Sequence, residues 1–459
     1  MTRPSATRRR PAPLRPLAVV LLAAFLTALL VTPGARAQSE PSTLHLDAEA
    51  AARRAVEVSH GAGAADERVA GARSRVAAAD AARLPTVAAS ASAEERSSVP
   101  ELTVPLGPGG ALKTIFPDIR AAYGLTLGVD QPLYTGGRVT ASRRASRHEL
   151  DASRADARGT RSGVALRARL AYWQAAAARA DVDAALSQQK RAETLLSDAR
   201  SLRKAGMAVD ADVLAAEART ASTRLAVLQA RTDTDDRMAE LRSLLDVPAG
   251  TELELADAMP GALPPAPEPL ADLQSRALDA RPEVAALAAR VDASAAQEDV
   301  ARAAGRPTVG ASAGWTLARP NMRYLPLADE WNDSWSVGVS ARWSLWDGGR
   351  TAADVGAAKA RRGALAEQLA DARRQVDLDV ERARLGLSSA REAVEAADAA
   401  QKAAAARLDA EKDRYEAGLS TTADVLDAQA DLAAAETRQV EARTGAWMAQ
   451  ARLDWAVGR

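Results

Sequence analysis

The sequence predicts a protein of mixed class, in which long coiled-coil helices continue a transmembrane β-barrel. An internal duplication is the first sign, because residues 123 to 218 match residues 335 to 430 at a constant offset of 212. The second sign is a helical segment of 68 residues in each copy, from 138 to 205 and from 350 to 417. The third is a set of strands with alternating apolar and polar residues. A period this long is typical of a duplicated hairpin unit and not of a solenoid.

The first 37 residues are typical of a secretory signal peptide. Arginines precede an apolar run from Leu17 to Val31, and a small-residue cleavage site follows at Ala35 to Ala37. A transmembrane anchor is the alternative, but a spanning helix needs about 20 apolar residues and this run is shorter. Cleavage leaves 54 basic and 60 acidic residues, a net charge of −6 that does not favour nucleic-acid binding. The chain has no cysteine, which excludes disulfides and a lipid anchor on cysteine.

Four segments predict helices, because alanine, arginine, leucine and glutamate dominate them while proline and glycine are almost absent. These segments are residues 46–84, 138–246, 270–304 and 350–457. At a rise of 1.5 Å per residue, each 68-residue segment forms a helix about 100 Å long. Residues 209–246 and 270–304 are about half as long, so we expect them to stack end to end beside one long helix. Residues 46–84 and 420–457 are expected to do the same beside the other.

The second long helix carries a coiled-coil pattern. Residues seven apart along it are Val380, Leu387, Val394, Gln401, Leu408 and Tyr415. Chance heptads are the alternative, because an alanine-rich chain produces some of them at random. Alanine at the other seam positions predicts a close approach of neighbouring helices.

A proline-rich connection separates the two copies and cannot be helical throughout. Its prolines are Pro248, Pro260, Pro264, Pro265, Pro267 and Pro269. We therefore divide the mature chain into a first repeat at 38–250, an equatorial linker at 251–269 and a second repeat at 270–459. The linker is expected midway along the helical rod.

Four strands show the apolar-out, polar-in alternation of a transmembrane β-strand. In the second copy the outward residues are Trp335, Val337, Val339, Ala341, Trp343 and Leu345. The equivalent strand of the first copy begins at Tyr123, and the two partner strands lie at 87–93 and 309–317. A half-buried sheet in a soluble protein shows the same alternation, but the long helices leave no soluble core for it to cover.

Aromatic residues bracket two of these strands. Tyr123 and Tyr134 are eleven residues apart, and so are Trp335 and Trp346. This spacing is close to the 9 to 11 residues with which a tilted strand crosses a bilayer. Together with Trp343, these aromatics predict a girdle at each membrane interface.

Four strands cannot close a barrel, since the smallest closed forms need about eight, and an open edge cannot face lipid. We therefore expect several chains to share one barrel. Two, three or four copies would supply the strands, and strand spacing alone does not choose among them. The loops at about 94–122 and 318–334 are proline-rich and polar, as expected of the external side.

One stretch of the second copy is distinctive. Arg414 to Gln429 reads RYEAGLSTTADVLDAQ, and the exits from the strands read LYTGGR at 133–138 and LWDGGR at 345–350. Arg281-Pro282-Glu283 adds a mark early in a predicted helix. With these motifs the mature chain resembles, over essentially its whole length, the TolC-like outer membrane efflux proteins, also called outer membrane factors.

The resemblance implies a homotrimer with a twelve-stranded barrel in the outer membrane of a Gram-negative bacterium, continued by a twelve-helix periplasmic α-barrel. It implies the function of an exit duct in a tripartite efflux or type I secretion system. Such a duct passively conducts substrates from an inner-membrane pump, to which a periplasmic adaptor protein joins it. Neither enzyme activity nor a cofactor is implied. An elongated structural coiled-coil protein of the cell envelope is the alternative, although a spacer does not need aromatic-bracketed strands.

The resemblance also implies contact residues at the periplasmic tips. Gly206 and Gly418 match the glycines of the helix-to-helix turns, where a residue must accept positive φ. Their apolar neighbours Met207 and Leu419 are expected to contact adaptor hairpins. The alternative is that these two side chains merely cap the end of a coiled coil.

Four further residues match the gate at the family's periplasmic entrance. Asp424 and Asp427 match acidic rings that narrow it and attract cations. The alternative is a pair of solvated carboxylates, which are favoured near a helix N-terminus. Tyr415 and Asp212 match partners in the links that hold the entrance shut. Ser420 stands where the family has an arginine partner, so we expect one salt bridge to be absent and the gate to be looser.

Catalytic motifs receive no support from their context. Gly310 to Gly314 satisfies the G-x-S-x-G pattern, but it lies in a predicted strand instead of at a strand-to-helix turn. The three histidines, at His45, His60 and His148, have no neighbouring set of metal ligands or triad partners. We therefore predict no enzyme.

Overall fold

The computed structural model describes residues 44–105, 110–248, 250–256 and 262–459. The predicted signal peptide at 1–37 and part of the predicted linker lie outside the described residues. The first copy contains β1 (Leu44–Leu46), α1 (Ala48–Val58), α2 (His60–Ala81), β2 (Thr86–Glu95), β3 (Leu102–Pro105), β4 (Leu112–Phe116), β5 (Ala121–Tyr134), α3 (Arg138–Lys204) and α4 (Asp210–Leu244). The linker and the second copy contain β6 (Leu253–Leu255), α5 (Leu270–Ala280), α6 (Pro282–Ala303), β7 (Thr308–Arg319), β8 (Asn332–Arg342), α7 (Arg350–Glu416) and α8 (Thr422–Ala456).

Equivalent helices of the two copies have equal lengths. α1 and α5 have 11 residues each, and α2 and α6 have 22. The long helices α3 and α7 have 67 residues, one fewer than predicted, and α4 and α8 have 35. The internal duplication is therefore confirmed at the level of structure.

Two segments predicted as single helices are each broken once. The segment at 46–84 is interrupted at Ser59, which is extended and begins α2 by accepting a hydrogen bond from Ala62 N at 3.3 Å. The segment at 270–304 is interrupted at Arg281, because a residue before proline avoids the helical region. Arg281 precedes α6, and Pro282 and Glu283 are its first two residues, so the motif lies at the start of a helix as predicted.

The stacking of the half-length helices differs from the prediction. α4 ends against α1, where Arg54 Nε donates to Leu245 O at 3.1 Å. α8 ends against α5 and α6, where Arg281 Nη1 donates to Trp455 O at 3.2 Å. The half-length helices that stack end to end therefore belong to the same copy. The prediction that half-length helices of different copies stack on each other is wrong. The physical reason is the duplication, because each unit keeps the contact between its own first and last helices.

The membrane-type strands form one antiparallel sheet in the order β2-β5-β7-β8. Thr86 pairs with Asp130 in the first hairpin, and Thr308 pairs with Arg342 in the second. The hairpins therefore share one register, with offsets of 222 and 212 between equivalent strands. The helices joined to these strands pack in the same order, α2, α3, α6 and α7. Among the described residues β2 and β8 are open edges, so one chain does not close a barrel.

Two small sheets were not predicted. β3 and β4 pair as a hairpin inside the loop expected at 94–122. β1 pairs in parallel with β6 of the linker, Leu44 lying opposite Leu253. Strands this short carry too little alternation to be recognised in a sequence.

The largest hydrophobic cluster lies at mid-length of α3. Tyr172 is fully buried there, and Trp173 stacks on Trp447 of α8 with ring centroids 5.2 Å apart. Leu253 and Leu255 of the linker pack into the same cluster. The described part of the linker therefore lies at the middle of the rod.

The heptad pattern of α7 forms a real seam. Its buried members are Val380, Leu387, Val394 and Leu408. Gln401 and Tyr415 are only partly exposed.

In the ranges that the structure describes, no helix carries an apolar stretch long enough to cross a lipid bilayer.

Candidate functional site

One face of the four-stranded sheet is apolar from edge to edge. A row across it consists of Ala89, Leu127, Trp315 and Trp335. The opposite face carries small polar residues, and one row there consists of Ser90, Thr126, Thr316 and Ser334. The predicted alternation is therefore present on all four strands. Val337 and Val339 are 71% and 70% exposed, an apolar exposure that requires a cover of lipid or protein.

Four of the five aromatics predicted for the girdle lie at the two ends of this apolar face. Tyr123 is at the loop end, and Tyr134, Trp343 and Trp346 are at the helix end. Trp335 is in the same row as Leu127, further from the loop end than Tyr123. Trp331 was not predicted, yet its ring centroid lies 6.1 Å from that of Tyr123. Trp331 precedes β8 and lies within the expected external loop, so the spacing of aromatic residues along the strands did not identify it.

Each long helix ends in the same turn at the other end of the rod. Gly206 and Gly418 have φ of +76° and +71°, the left-handed region that glycine adopts without strain. The N–H of Met207 donates to the carbonyl of Leu202 at 2.9 Å, and the N–H of Leu419 donates to the carbonyl of Arg414 at 2.8 Å. Met207 and Leu419 follow the glycines, and each is 71% exposed. Both tips therefore present an apolar side chain to their surroundings.

The first turns of α8 carry acids on one face and apolar residues on the other. The apolar face, packed on α3 and α7, consists of Val425, Ala428 and Leu432. The exposed face carries Asp424, Asp427 and Asp431. Asp431 pairs with Arg407 of α7. Within the described residues, Asp427 has neither a hydrogen-bond partner nor an ion-pair partner, so its carboxylate is available to a ligand or to another copy.

Asp424 closes a capping box at the start of α8. Its Oδ2 accepts from Thr421 N at 2.9 Å and from Thr421 Oγ1 at 2.7 Å, while Asp424 N donates to Thr421 Oγ1 at 3.3 Å. The backbone and hydroxyl hydrogen bonds from Thr421 hold the pKa of Asp424 below its ordinary value. Asp424 therefore keeps its charge under mildly acidic conditions. The Thr-x-x-Asp spacing was visible in the sequence as a capping signal and went unused.

The two predicted gate-link residues lie in different hairpins, and each is bonded within its own. Tyr415 Oη lies 3.2 Å from Thr422 Oγ1. Asp212 accepts a hydrogen bond from Val209 N at 3.2 Å. The start of α4 therefore has one of the two hydrogen bonds that form the capping box of α8. Ser420 Oγ donates to Glu411 Oε2 at 2.8 Å, a partner in the last turns of α7. Within the described part of one chain these hydrogen bonds shape each tip and do not join the two, whereas Tyr415 packs against the apolar cluster that includes Leu195 of α3.

A link between the two hairpins was missed by sequence reasoning. Arg191 Nη2 of α3 lies 2.6 Å from Glu436 Oε2 of α8, and both side chains are mostly buried. Gln429 Nε2 also donates to Arg191 O at 3.4 Å. No sequence signal identifies such a pair, because the two residues are 245 positions apart and each resembles an ordinary surface charge.

One half-buried carboxylate makes the stability of the helical rod depend on pH. Burial between α3, α4 and α8, reinforced by the charges of Glu441 and Asp233, raises the pKa of Asp181 to about 6. A raised pKa stabilises the fold below the unfolded value of ~4, and this contribution is lost as pH rises through 6. We expect Asp181→Asn to stabilise the protein by about 1 kcal/mol at pH 7.5, after discounting for solvent screening. Thermal unfolding at pH 7.5 and at pH 4 measures it, and an equal gain at both values would contradict this assignment.

A sequence model described as outer membrane efflux protein matches residues 53–246 and 273–459, one match in each copy. The chain belongs to the outer membrane efflux protein family. This is a family of transport channels, so the protein is a channel-family member and not an enzyme. The G-x-S-x-G pattern at Gly310 to Gly314 lies wholly inside β7, as a chance match would.

Individual proteins show the same relationship. The chain is 29% identical over 370 residues to outer membrane efflux protein BepC of Brucella suis biovar 1, covering 76% of this chain and 74% of BepC. It is 31% identical over 319 residues to protein CyaE of Bordetella pertussis, covering 67% of this chain and 65% of CyaE. The solved structure of the outer membrane protein VceC from Vibrio cholerae superposes with a TM-score of 0.72 at 21% identity, covering 89% of this chain and 95% of VceC. The predicted TolC-like fold is thus confirmed.

Proposed function

We propose that this protein is the outer membrane exit duct of a tripartite efflux or type I secretion system. Three copies form a twelve-stranded barrel and a twelve-helix α-barrel, through which substrates pass without chemical change. A periplasmic adaptor docks on the tips and joins the duct to an inner-membrane pump. The chain reaches the outer membrane of a Gram-negative bacterium through a cleaved signal peptide at 1–37 and stays there without a lipid anchor.

The observation that carries this proposal is the sheet that is apolar on one face and open at both edges. An apolar face of this kind is covered by lipid in a barrel, and the edges must then be paired with other copies because lipid offers no hydrogen bonds. The polar rows on the opposite face line the interior. Four strands in each chain make twelve in a trimer, which leaves an aqueous passage.

The helical rod fits the same function. α3 and α7 have 67 residues each and are about 100 Å long, a length suited to crossing a periplasmic gap. We assign the first repeat to 38–250 and the second to 270–459, with the linker at 251–269 forming a belt at mid-length. An elongated structural coiled coil of the envelope is the second candidate, and the long alanine-rich helices alone would suit it.

Single-channel conductance separates the two candidates. The purified detergent-solubilised protein is placed in a planar bilayer, and the native mass is determined on the same sample. A trimer with a cation-selective conductance supports the duct. A monomer or dimer without conductance returns the protein to the structural coiled coil.

Replacing the glycine of the second tip is expected to separate docking from assembly. The φ of Gly418 is +71°, so a bulky residue strains the turn, but open space around it leaves the rest of the fold undisturbed. For Gly418→Leu we expect a trimer by native mass and an almost complete loss of efflux in the native host. Gly363→Leu, in an exposed part of α7 with equal free space, is the control and is expected to retain efflux. Normal efflux by Gly418→Leu would contradict the docking role.

A further inference from the structure

A groove lies at mid-length of the rod, where α3, α7 and α8 meet. Its volume is about 670 Å³, within the range of about 300–1,000 Å³ that small-molecule sites occupy. Its walls are largely apolar and include Leu166 and Leu170 of α3, Ala383 of α7 and Ala449 of α8. All three helices belong to one chain, so the groove forms without a second copy.

Two glycines give the groove its open space. Gly386 of α7 and Gly445 of α8 both line it, and a Cβ added at either position would meet no atom within 4 Å. Glycine in the middle of a helix is destabilising relative to alanine, so helix stability does not favour it here. The two glycines leave room that a bound molecule can occupy.

The internal duplication shows that the second copy alone has this combination of residues. The equivalents of Gly386, Gly445 and Arg452 at an offset of 212 are Gln174, Asp233 and Glu240. Larger side chains therefore stand where the second copy has glycine, and an acid stands where the second copy has arginine. The groove is not a general consequence of the repeated fold.

Two arginines give the groove a positive charge. Arg382 of α7 and Arg452 of α8 line it, and both residues are exposed. Within the described residues, neither arginine has a hydrogen-bond or ion-pair partner. The acid of the groove, Asp379, is already occupied, because it accepts hydrogen bonds from Gln375 at 2.8 Å and from Arg281 at 3.4 Å. The groove therefore presents two unpaired guanidinium groups beside apolar walls.

The groove opens on the side of the helical layer that faces away from the linker. α1 packs in one hydrophobic cluster with the linker strand β6, and its first residues lie against one face of α8. That face consists of Trp447, Gln450, Ala451 and Asp454. Successive residues of a helix advance by about 100°, so the residues of α8 in the groove lie on the opposite face. They include Gly445, Ala449, Arg452 and Ala456. In the proposed duct the linker forms an outer belt, so the groove faces the passage.

We propose that this groove binds amphipathic organic anions as they pass through the duct. A carboxylate is held by Arg382 and Arg452, and the apolar body lies against Leu166 and Leu170. Guanidinium groups form strong charge-assisted hydrogen bonds with carboxylates and repel cations, so the charge of the groove determines the class of ligand. This assignment rests on the proposed function, because a duct brings its cargo past this surface.

Calorimetric titration with naphthalene-2-carboxylate tests this site. The probe is added to the full-length protein in lipid nanodiscs, with empty nanodiscs as the blank, and native mass and conductance are determined on the same preparation. We expect saturable binding of this anion and none of 2-naphthylmethylammonium, a cation of similar shape. Arg382→Gln/Arg452→Gln is expected to weaken binding roughly tenfold or more. Arg373→Gln/Arg438→Gln removes one exposed arginine from each of the same two helices outside the groove and is expected to leave binding unchanged.

A second variant keeps both arginines and fills the space. Gly445→Leu places a side chain in the groove, and α8 tolerates it because leucine is a better helix former than glycine and the position is open. We expect binding to weaken roughly tenfold, because the apolar body of the probe loses its place. Gly363→Leu, in α7 with equal free space outside the groove, is the control and is expected to bind as the wild type does.

The outcomes for the groove and for the duct can be distinguished. Absence of saturable binding, equal binding of the cation, or unchanged binding in either groove variant overturns the site. Unchanged binding in the arginine variant would show that Arg382 and Arg452 are ordinary solvated helix residues. A conducting trimer in any of these cases leaves the proposed function intact. Binding that both groove variants weaken, in a sample with neither a trimer nor a pore, supports the groove as a ligand site and overturns the duct.

Discussion

The substitution Asp427→Asn is expected to raise roughly tenfold the concentration of lanthanum(III) needed to block the pore. This change is equivalent to ~1.4 kcal/mol of binding free energy. Asp427 is exposed on the first turns of α8, and within the described residues it has no partner to neutralise it. Three copies would bring three such carboxylates around one axis, where a trivalent cation is favoured. For the double variant Asp424→Asn/Asp427→Asn we expect block to be lost. Single-channel recording with lanthanum(III) on the side of the tips measures it.

The choice of substitutions separates charge from helix capping. Asparagine at 424 keeps an oxygen that accepts the Thr421 N–H, so α8 still begins at the same place. Asp409→Asn removes one exposed acid from α7, whose side chain is 77% exposed, and is the control for a general change of charge. It is expected to leave block unchanged. Undiminished block in the double variant would show that these acids are ordinary solvated helix residues.

Replacing Leu127 by arginine is expected to prevent assembly in the membrane. Leu127 is in the middle of β5 on the apolar face, between Ala89 and Trp315, and is 46% exposed. An arginine facing lipid near the bilayer midplane costs about 2–4 kcal/mol in each copy, and three copies multiply the penalty. We expect less than a tenth of the wild-type amount of urea-resistant trimer in isolated membranes.

The neighbouring residue supplies the matched control. Thr126 points to the opposite face, where its hydroxyl lies 3.3 Å from that of Thr316. Thr126→Arg carries the same charge into the aqueous interior, so trimers are expected to form and their cation selectivity to fall. Equal insertion of the two variants would place the apolar face away from lipid and favour a soluble sheet.

The periodic parts of this fold were predictable from sequence for a physical reason. A helix of 67 residues and a strand that alternates over a whole membrane repeat the same local requirement many times, so the pattern accumulates. Because of the duplication, the pattern of each element occurs twice in the sequence. The seam residues Val380, Leu387 and Val394 are buried as their spacing predicts.

Features determined by single residues or by contacts between distant parts of the chain were harder to predict from the sequence. Ser59 ends one helix and begins the next, and an isolated serine in an alanine-rich segment does not reveal this. Pro282 does carry a signal, since the residue before it avoids helical geometry, and that signal was overlooked. The packing of α4 against α1 and the pair between Arg191 and Glu436 depend on which surfaces meet, which no local pattern specifies.

At the candidate site the sequence located the tips and the acids but not their bonding. The glycines at 206 and 418 adopt the left-handed conformation expected of them. The hydrogen bonds of Asp424, by contrast, assign it a local structural role that the resemblance did not include. Whether Asp424 also faces a central axis depends on neighbouring copies, and the lanthanum(III) experiment addresses that point.

The two open edges of the sheet have a genetic consequence. In the proposed trimer a chain cannot confine a defect to itself, because every faulty copy that assembles occupies a place in a shared ring. When wild-type and Gly418→Leu chains are made together in equal amounts, most rings are expected to contain at least one faulty copy. Such an allele is expected to act as a dominant negative, so a strain that carries both alleles loses far more than half of its working ducts.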